Sequence, residues 1–186
     1  VDLDPQANAT SGLGVVEPER TIYDVLVGEV PARQAVRRSD TPNLSVLPAS
    51  VDLAGAAVEL DASSEDLLLL DRALIGVRPN YDFVVLDAPP SMGSLTLNAL
   101  AAADLLIVPL QTEYYALEGI AGMIETVERV RGSLNPDLRI LGILLTMFDS
   151  RTRLSQQVEE NVRAHFGTEV FETVIPRTVA FDYATV

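Results

Sequence analysis

The stretch Val1-Asp-Leu-Asp-Pro-Gln-Ala-Asn8 has the composition of a strand that ends in a polar turn. Asp2 and Asp4 are two residues apart, so in an extended strand both carboxylates point to one face and the apolar residue between them points to the other. In an open parallel sheet, ligands bind beyond the carboxyl ends of the strands. The stretch therefore predicts a strand that ends in acidic side chains at a binding site.

A second stretch, Tyr81-Asp-Phe-Val-Val-Leu-Asp-Ala-Pro-Pro90, repeats this design with an apolar run that ends in one carboxylate, Asp87. We expect Phe83–Asp87 to be a buried strand that the two prolines terminate. Mg²⁺ prefers hard oxygen ligands and usually binds one or two carboxylates together with substrate phosphates. The two strand ends together predict a site for a nucleotide and magnesium.

The composition limits the class of protein. Of the 186 residues, 48% are hydrophobic and 22% are charged, which is typical of a soluble globular domain. The absence of cysteine excludes a disulfide framework and a thiolate metal site, and it suits a reducing cytoplasm. The longest apolar runs are far shorter than the ~20 residues of a membrane span, so we expect no membrane partner. No repeat or linker divides the chain, which predicts one domain over residues 1–186.

The charge pattern bears on both nucleotide and nucleic-acid binding. The formal net charge of −14 repels nucleic acid unless basic residues cluster locally. All 13 basic residues are arginine. A phosphate-binding loop of the G-x-x-x-x-G-K-[ST] type needs a lysine ammonium group, so these 186 residues contain no such loop.

Strands alternate with amphipathic helices along the chain, a pattern that favours a parallel sheet. In the longest expected helix, apolar residues from Leu117 to Val130 recur at spacings of three and four. We therefore expect an α/β fold with a doubly wound, mostly parallel sheet flanked by helices. The expected strands are 44–48, 83–87, 105–109, 138–146 and 170–175. The expected helices are 21–27 with Thr21 as N-cap, 31–37, 53–60, 65–76, 95–103, 117–130 and 154–166.

Five blocks of the sequence, in order, resemble the ParA/Soj family of partition ATPases, which are deviant Walker-type P-loop proteins related to MinD. The blocks are residues 1–14, 81–91, 111–119, 144–151 and 174–177. The third, Gln-Thr-Glu-Tyr-Tyr-Ala-Leu-Glu-Gly, resembles Soj-like ParA proteins rather than MinD. The resemblance implies a P-loop NTPase-like fold with ATP and Mg²⁺ as cofactors. It also implies a phosphate-binding loop before residue 1 and a further C-terminal segment, so we expect the 186 residues alone not to bind ATP.

The resemblance implies roles for the acidic residues. Asp4 matches the catalytic aspartate that positions the attacking water, and Asp87 matches the Walker B aspartate that holds Mg²⁺ through water. Asp2 contacts magnesium-bound water, steadies the phosphate loop, or is a buried acid paired within the sheet. Residues 91–93 match a switch II loop that senses the γ-phosphate.

Other residues are implied to contact the nucleotide base. Met147, Pro176 and Arg177 follow strands at the rim where related proteins bind the base, and Asp149 follows Met147 there. Core packing accounts for Met147 nearly as well. Tyr114 and Tyr115 lie either near a dimer face or in ordinary packing.

Arg151 and Arg153, with Arg163 further along the same helix, form a local basic group. Arg151 matches a family position linked to nonspecific DNA contact. The alternative is a solvated helix face. Ala180 stands where the family pattern has an arginine, a departure from the pattern of DNA-binding relatives.

The function that the resemblance implies is DNA partitioning. It comprises ATP-dependent homodimerisation, nonspecific DNA binding and ATP hydrolysis stimulated by a ParB-type centromere-binding protein, in a cytoplasmic, nucleoid-associated enzyme that segregates a chromosome or plasmid. Two alternatives remain open. One is a MinD-like or other deviant Walker ATPase, and the other is a non-catalytic, truncated interaction protein.

Overall fold

The computed structural model describes residues 1–59, 65–113 and 116–178. The chain divides into two compact units, which are described separately: unit 1 comprises Val1–Ala103, and unit 2 begins at Asp104. The prediction of a single domain over residues 1–186 stays a prediction. None of the helices in the described ranges is long and apolar enough to cross a membrane.

Unit 1 consists mainly of short helices. In the described residues these are α1 (Asn8–Gly12), α2 (Ile22–Leu26), α3 (Ala32–Ala35), α4 (Leu53–Glu59), α5 (Leu69–Leu74) and α6 (Ser94–Ala102), and the strands β1 (Arg37–Arg38) and β2 (Ser45–Val46) form an antiparallel pair. Single 3₁₀ turns occur at Asp66–Leu68 and Arg78–Asn80.

Local sequence explains where α2 and α3 begin and end. Thr21 caps α2 as predicted: its hydroxyl accepts the Tyr23 N–H at 3.2 Å, and its own N–H donates to Asp24 at 2.6 Å, which completes a capping box. The helix predicted over residues 31–37 is shorter than expected. It ends at Ala35 because the chain becomes extended at Val36 and pairs with β2.

The core of unit 1 forms around aliphatic side chains that are completely buried. They include Leu3, Ile22, Leu53, Leu70 and Leu74, each with no exposed surface. Burying such a side chain contributes about 1.5–3 kcal/mol. The burial of Leu3 in this core fixes the first segment of the chain, which carries Asp2 and Asp4.

The first segment lies between two others in extended conformation. The Asp2 N–H donates to Leu47 O at 3.0 Å, the Leu3 N–H donates to Asp87 O at 2.8 Å, and the Asp87 N–H donates to Val1 O at 2.9 Å. Asp2 and Asp87 form a parallel bridge. The two acidic segments of the sequence are therefore neighbours with parallel direction.

The prediction that Phe83–Asp87 is a buried strand is wrong in two respects. Only Asp87 of this segment forms a β-bridge, and the segment is buried on one face only. Phe83 is 86% exposed and Val85 is 74% exposed, whereas Val84 and Leu86 pack partly against the core. Alternate side chains of an extended segment point to opposite faces, and only one face of this segment packs against the core of unit 1.

Unit 2 contains a parallel sheet with the strand order β3 (Leu105–Gln111), β4 (Arg139–Phe148) and β5 (Val170–Pro176). The helices α7 (Ala116–Ser133) and α8 (Arg153–Phe166) connect these strands, so each connection is the crossover that parallel neighbours require. The predicted stripe of α7 is confirmed at Ile120, Val127 and Val130, which are buried. The amphipathic helix expected over residues 154–166 buries Val158 and Val162, whereas Leu154 at its start is 44% exposed.

Candidate functional site

Asp2 is completely buried, and both of its carboxylate oxygens accept hydrogen bonds. Oδ2 accepts the Thr10 N–H at 2.8 Å and the Thr10 hydroxyl at 2.7 Å. Oδ1 accepts the Asp4 N–H at 3.1 Å. A buried carboxylate needs such donors because an unpaired one carries a large desolvation cost. The geometry therefore favours a structural role for Asp2 over direct contact with a magnesium-bound water.

Thr10 extends this network to a second loop, and the sequence reasoning did not single it out. Its Oγ1 donates to Asp2 and accepts the Ala49 N–H at 2.9 Å. One buried hydroxyl thus joins the acidic strand end, α1 and the loop after β2. The only signal in the sequence was a hydroxyl residue in the block that follows the two aspartates.

Asp4 is half-buried at the turn that leaves the first strand segment. Its Oδ1 accepts the Gln6 N–H at 2.9 Å, and its carbonyl accepts the Ala7 N–H at 2.9 Å. This Asx-type turn orients the side chain. The other carboxylate oxygen, Oδ2, accepts no hydrogen bond from the described residues. Asp4 therefore has an oriented carboxylate with one oxygen available to a water molecule.

Asp87 lies on the neighbouring segment with an exposed side chain. Its pKa is raised, first because its carboxyl loses part of its solvent and then because the negative charges of Asp2 and Asp4 are near. No hydrogen bond from the described residues stabilises its charge. A cation bound nearby would offset this repulsion and stabilise the ionised form of the carboxylate.

The donor set at this strand end fits a magnesium ion that is shared with phosphates. The described residues contain no group of three or more acidic or imidazole side chains that could enclose a metal ion. Mg²⁺ seldom uses such a cage, since it keeps several waters and takes one or two carboxylates plus substrate phosphates. Asp87 would hold the ion through water, whereas Asp2 is completely buried and both of its oxygens already accept hydrogen bonds.

The loop after Asp87 is fastened to the next helix. The Thr96 hydroxyl, buried on α6, lies 2.6 Å from Ser91 O and 3.2 Å from Pro89 O. Ser91, Met92 and Gly93 themselves are exposed. The predicted switch II loop is thus tethered at its base and accessible at its tip, and its sensing role stays a prediction.

A cavity of about 340 Å³ lies beside the acidic strand end in unit 1. Most of its lining is apolar, including Leu44, Phe83 and Val85, and no arginine lines it. The side chains of the described residues that line it therefore offer no cationic group for a phosphate, in agreement with the absence of a lysine-containing phosphate loop from the sequence.

In unit 2, Met147 and Pro176 come to the same edge of the sheet. Phe148 pairs with Pro176, and the Arg177 N–H donates to Phe148 O at 2.9 Å. Met147 has a left-handed backbone with φ of 54° and is 43% exposed. A non-glycine residue at positive φ carries backbone strain, and such strain is frequent near functional sites. Contact of these residues with a nucleotide base stays a prediction.

The carboxylate of Asp149 forms an ion pair with Arg151, two residues later. Arg151 donates through Nε to Oδ1 at 2.9 Å and through Nη2 to Oδ2 at 2.8 Å, and its backbone N–H also donates to Oδ1 at 3.0 Å. These hydrogen bonds lower the pKa of Asp149 to about 2. At neutral pH the predicted DNA-contacting arginine is therefore held in a bidentate ion pair.

Of the other two arginines in the predicted basic group, one is in an ion pair and one is not. Arg163 pairs with Glu159 at 2.9 Å and donates to Phe171 O at 3.1 Å. Arg153, the first residue of α8, is exposed and has no ion pair within the described ranges. DNA contact by Arg151 and Arg153 stays a prediction. Tyr114, Tyr115 and Ala180 lie outside the described residues.

Known proteins are similar to this chain over nearly its whole length. Residues 1–140 match a family described as an AAA domain. The chain is 56% identical over 181 residues to the chromosome-partitioning ATPase Soj of Thermus thermophilus, a match that covers 96% of this chain and 68% of that protein. It is 49% identical over 188 residues to the chromosome partitioning protein ParA of Caulobacter vibrioides, with coverage of 99% and 70%.

Among solved structures, cobyrinic acid a,c-diamide synthase from Mycobacterium smegmatis with bound ADP and magnesium resembles the chain with a TM-score of 0.88 and 39% identity. The match covers 98% of this chain and 76% of that one.

Proposed function

Because this chain belongs to the ParA/Soj family of partitioning ATPases, we propose that the full-length polypeptide binds and hydrolyses ATP with Mg²⁺ and uses this cycle to partition DNA. The fold of the chain is the α/β fold of P-loop NTPases, as predicted from the sequence. The proposal extends to ATP-dependent homodimerisation, nonspecific DNA binding and stimulation of hydrolysis by a ParB-type centromere-binding protein.

The observation that carries the proposal is the juxtaposition of Asp4 and Asp87. Leu3 hydrogen bonds to Asp87 O at 2.8 Å, so Asp4 is the next residue beyond that contact. Each carboxylate retains an oxygen without a hydrogen bond from the described residues. This is the arrangement that phosphoryl transfer to water needs, with one acid for the water and one for the metal.

The two acids have separate roles in the proposed reaction. Asp4 accepts a hydrogen bond from the attacking water through Oδ2, while its Oδ1 stays on the Gln6 N–H and keeps the side chain oriented. Asp87 holds Mg²⁺ through water. When bound, Mg²⁺ supplies charge neutralisation at the phosphates. Because positioning and charge stabilisation provide most of the catalysis of phosphoryl transfer, no covalent intermediate is needed.

The test is phosphate release from ATP by the full-length polypeptide as its gene encodes it. We expect Mg²⁺-dependent hydrolysis that increases when both nonspecific DNA and a ParB-type protein are added. Absence of hydrolysis under all of these conditions would contradict the proposal and would favour the non-catalytic interaction protein.

A second measurement concerns the 186 residues alone. Titration of ATP into this chain by calorimetry should give no micromolar binding, since the chain contains no lysine to contact the β and γ phosphates. Micromolar binding would show that the described acids and arginines suffice, and it would contradict this expectation.

A second candidate function follows from the solved structure whose name is an a,c-diamide synthase. In that case the chain would belong to an ATP-dependent amide-forming enzyme. The greater identity to the partitioning proteins, 49% and 56% against 39%, favours partitioning. Amidation of cobyrinic acid in the presence of ATP and an amide donor would establish the alternative.

A further inference from the structure

The charge of the chain leaves few places where a polyanion can bind. At a net charge of −14, DNA is repelled except where arginines outnumber nearby acids. In unit 2, Arg131, Arg151 and Arg163 are already in ion pairs, whereas Arg129, Arg139, Arg153 and Arg177 form none within the described residues. Unit 1 has six arginines, of which Arg78 pairs with Asp71. The other five form no ion pair within the described part of the chain, and four of them are close in sequence, at positions 20, 33, 37 and 38.

Two of these arginines, Arg20 and Arg37, donate hydrogen bonds to the same neutral residue, Gln34. Arg20 Nη1 donates to the side-chain oxygen of Gln34 at 2.6 Å. Arg37 Nη1 donates to the backbone oxygen of the same Gln34 at 3.0 Å and to Val36 O at 3.4 Å. Neutral acceptors orient a guanidinium group without cancelling its charge. Each guanidinium has five N–H donors, so most of them remain available to another acceptor.

The backbone that carries these arginines is fixed by packing and strand pairing. Gln34 lies on α3, and the neighbours Ala32 and Ala35 are 3% and 0% exposed in the core of unit 1. Arg37 begins β1, which pairs with β2. Arg33, exposed on α3 beside Gln34, adds a third positive charge. Little ordering is therefore required before an anion can bind.

We propose that Arg20 and Arg37, with Arg33 beside them, bind the backbone phosphates of DNA. The proposal rests on the proposed DNA-partitioning function and adds a contact surface in unit 1. Guanidinium groups match phosphate oxygens in a bidentate manner, and phosphate contacts supply affinity without sequence preference. The exposed residues of α3 are charged or polar, which suits a phosphate backbone better than a peptide that needs apolar anchors.

Nearby acids restrict where the phosphates lie. A depression of about 510 Å³ beside Arg37 and Arg38 is also lined by Glu17 and Glu19. Their carboxylates repel phosphate from that depression. The phosphate-binding surface is therefore the part around Gln34, and Arg38 is not included in it.

The test uses the double variant R20Q/R37Q of the full-length polypeptide with ATP and Mg²⁺. Binding to a random-sequence duplex is measured by fluorescence anisotropy at several salt concentrations. We expect roughly tenfold weaker binding and a salt slope that is shallower by about two, because two phosphate contacts are lost. The variant R72Q removes an exposed arginine of α5 without an ion pair in the described residues, and it should change affinity by less than about twofold.

Four results would overturn the proposal. Unchanged binding by R20Q/R37Q, when the unaltered protein binds DNA, removes this surface and leaves the partitioning function intact. A loss in R72Q that is half of the double variant's loss on a logarithmic scale, as one charge of two predicts, shows that only net charge matters. Stronger competition by polyglutamate than by the duplex assigns the surface to an acidic protein segment. If the unaltered protein binds no DNA, the DNA-binding part of the proposed function fails and this proposal fails with it. A thermal melt monitored by circular dichroism confirms that each variant is folded.

Discussion

The end of the first strand segment and the end of β4 both carry acidic residues, but the surrounding donors use them differently. Asp2 is enclosed by Thr10 and the Asp4 N–H, which leaves Asp4 oriented with a free oxygen. The side chain of Asp149 accepts hydrogen bonds only from Arg151 among the described residues. The guanidinium group of Arg151 contacts both carboxylate oxygens. Position at a strand end therefore does not decide whether a carboxylate can serve a ligand. The donors that already occupy its oxygens decide it.

The largest expected effect is on the acid with the free oxygen. Asp4→Asn removes the charge that orients the attacking water while it retains a side chain of the same shape. We expect ATP hydrolysis by the full-length polypeptide to fall at least about 100-fold, with ATP binding retained. Phosphate release and nucleotide affinity are measured separately. Asp82→Asn, at an exposed position, serves as the control and should retain hydrolysis. Comparable hydrolysis by the Asp4 variant and this control would show that Asp4 is not the catalytic acid.

The next effect concerns the buried acid, and it is one of stability. Thr10→Val removes two hydrogen bonds to Asp2 and Ala49 and leaves a buried carboxylate and an N–H less satisfied. The free energy of unfolding should fall by about 2–3 kcal/mol. Urea denaturation measures the change, and Thr10→Ser should recover most of it because the hydroxyl is restored. Equal stability of the valine and serine variants would contradict a role for the hydroxyl.

A smaller effect is expected at Asp87 and depends on pH. Its pKa in the folded state is raised by partial burial and by Asp2 and Asp4, so the folded state holds its proton more tightly than the unfolded state does. The resulting stability is present at low pH and is lost as the pH rises through the raised pKa. Asp87→Asn should therefore increase the free energy of unfolding at pH 7 without Mg²⁺, by less than about 1 kcal/mol after solvent screening.

Urea denaturation at pH 7 and near pH 3.5 tests this sign. The gain from Asp87→Asn should shrink at the lower pH, where the aspartate is mostly protonated in both states. A variant that is less stable than the unaltered protein at pH 7 would indicate that the Asp87 carboxylate already has a stabilising partner.

The smallest effect is expected at the occupied acid of β4. The Asp149 pKa of about 2 lies below its ordinary value, so its pairing with Arg151 is complete at neutral pH and is lost only as the pH falls toward 2. Asp149→Asn releases Arg151 and should tighten DNA binding about two- to fivefold, with a salt slope steeper by about one. The double variant D149N/R151Q should lose this gain in the same anisotropy measurement. Weaker binding by Asp149→Asn alone would argue against DNA contact by Arg151.

Much of the fold could be predicted because local patterns and packing agree. The capping box at Thr21 marks the start of α2, and the stripe of Ile120, Val127 and Val130 marks the buried face of α7. The sequence pattern did not predict burial correctly where a residue type occurs in both buried and exposed strands. Phe83 and Val85 have strong strand propensity, but their burial depends on whether another element covers their face, which no local pattern encodes.

The candidate site was predictable to the level of its residue types. The two acidic segments indicated magnesium and water, and the parallel bridge between Asp2 and Asp87 brings them together. The separate uses of Asp2 and Asp4 were not predictable, since both are aspartates in one short motif. Their difference arises from Thr10, a hydroxyl eight residues after Asp2 that reaches it only when α1 folds back.

The sequence by itself determined the family, the alternation of strands and helices, and the acidic ends of two strands, because these depend on residue order and short-range periodicity. Tertiary structure decided which charges are free. Asp4 keeps an oxygen without a hydrogen bond and Arg20 keeps an uncompensated charge. Asp2, of the same residue type as Asp4, is buried with both oxygens hydrogen-bonded, and the charge of Arg151 is compensated by Asp149. The physical reason is that hydrogen bonds and ion pairs form between groups brought together by folding, and these partners compete with a ligand for the same polar atoms and charges.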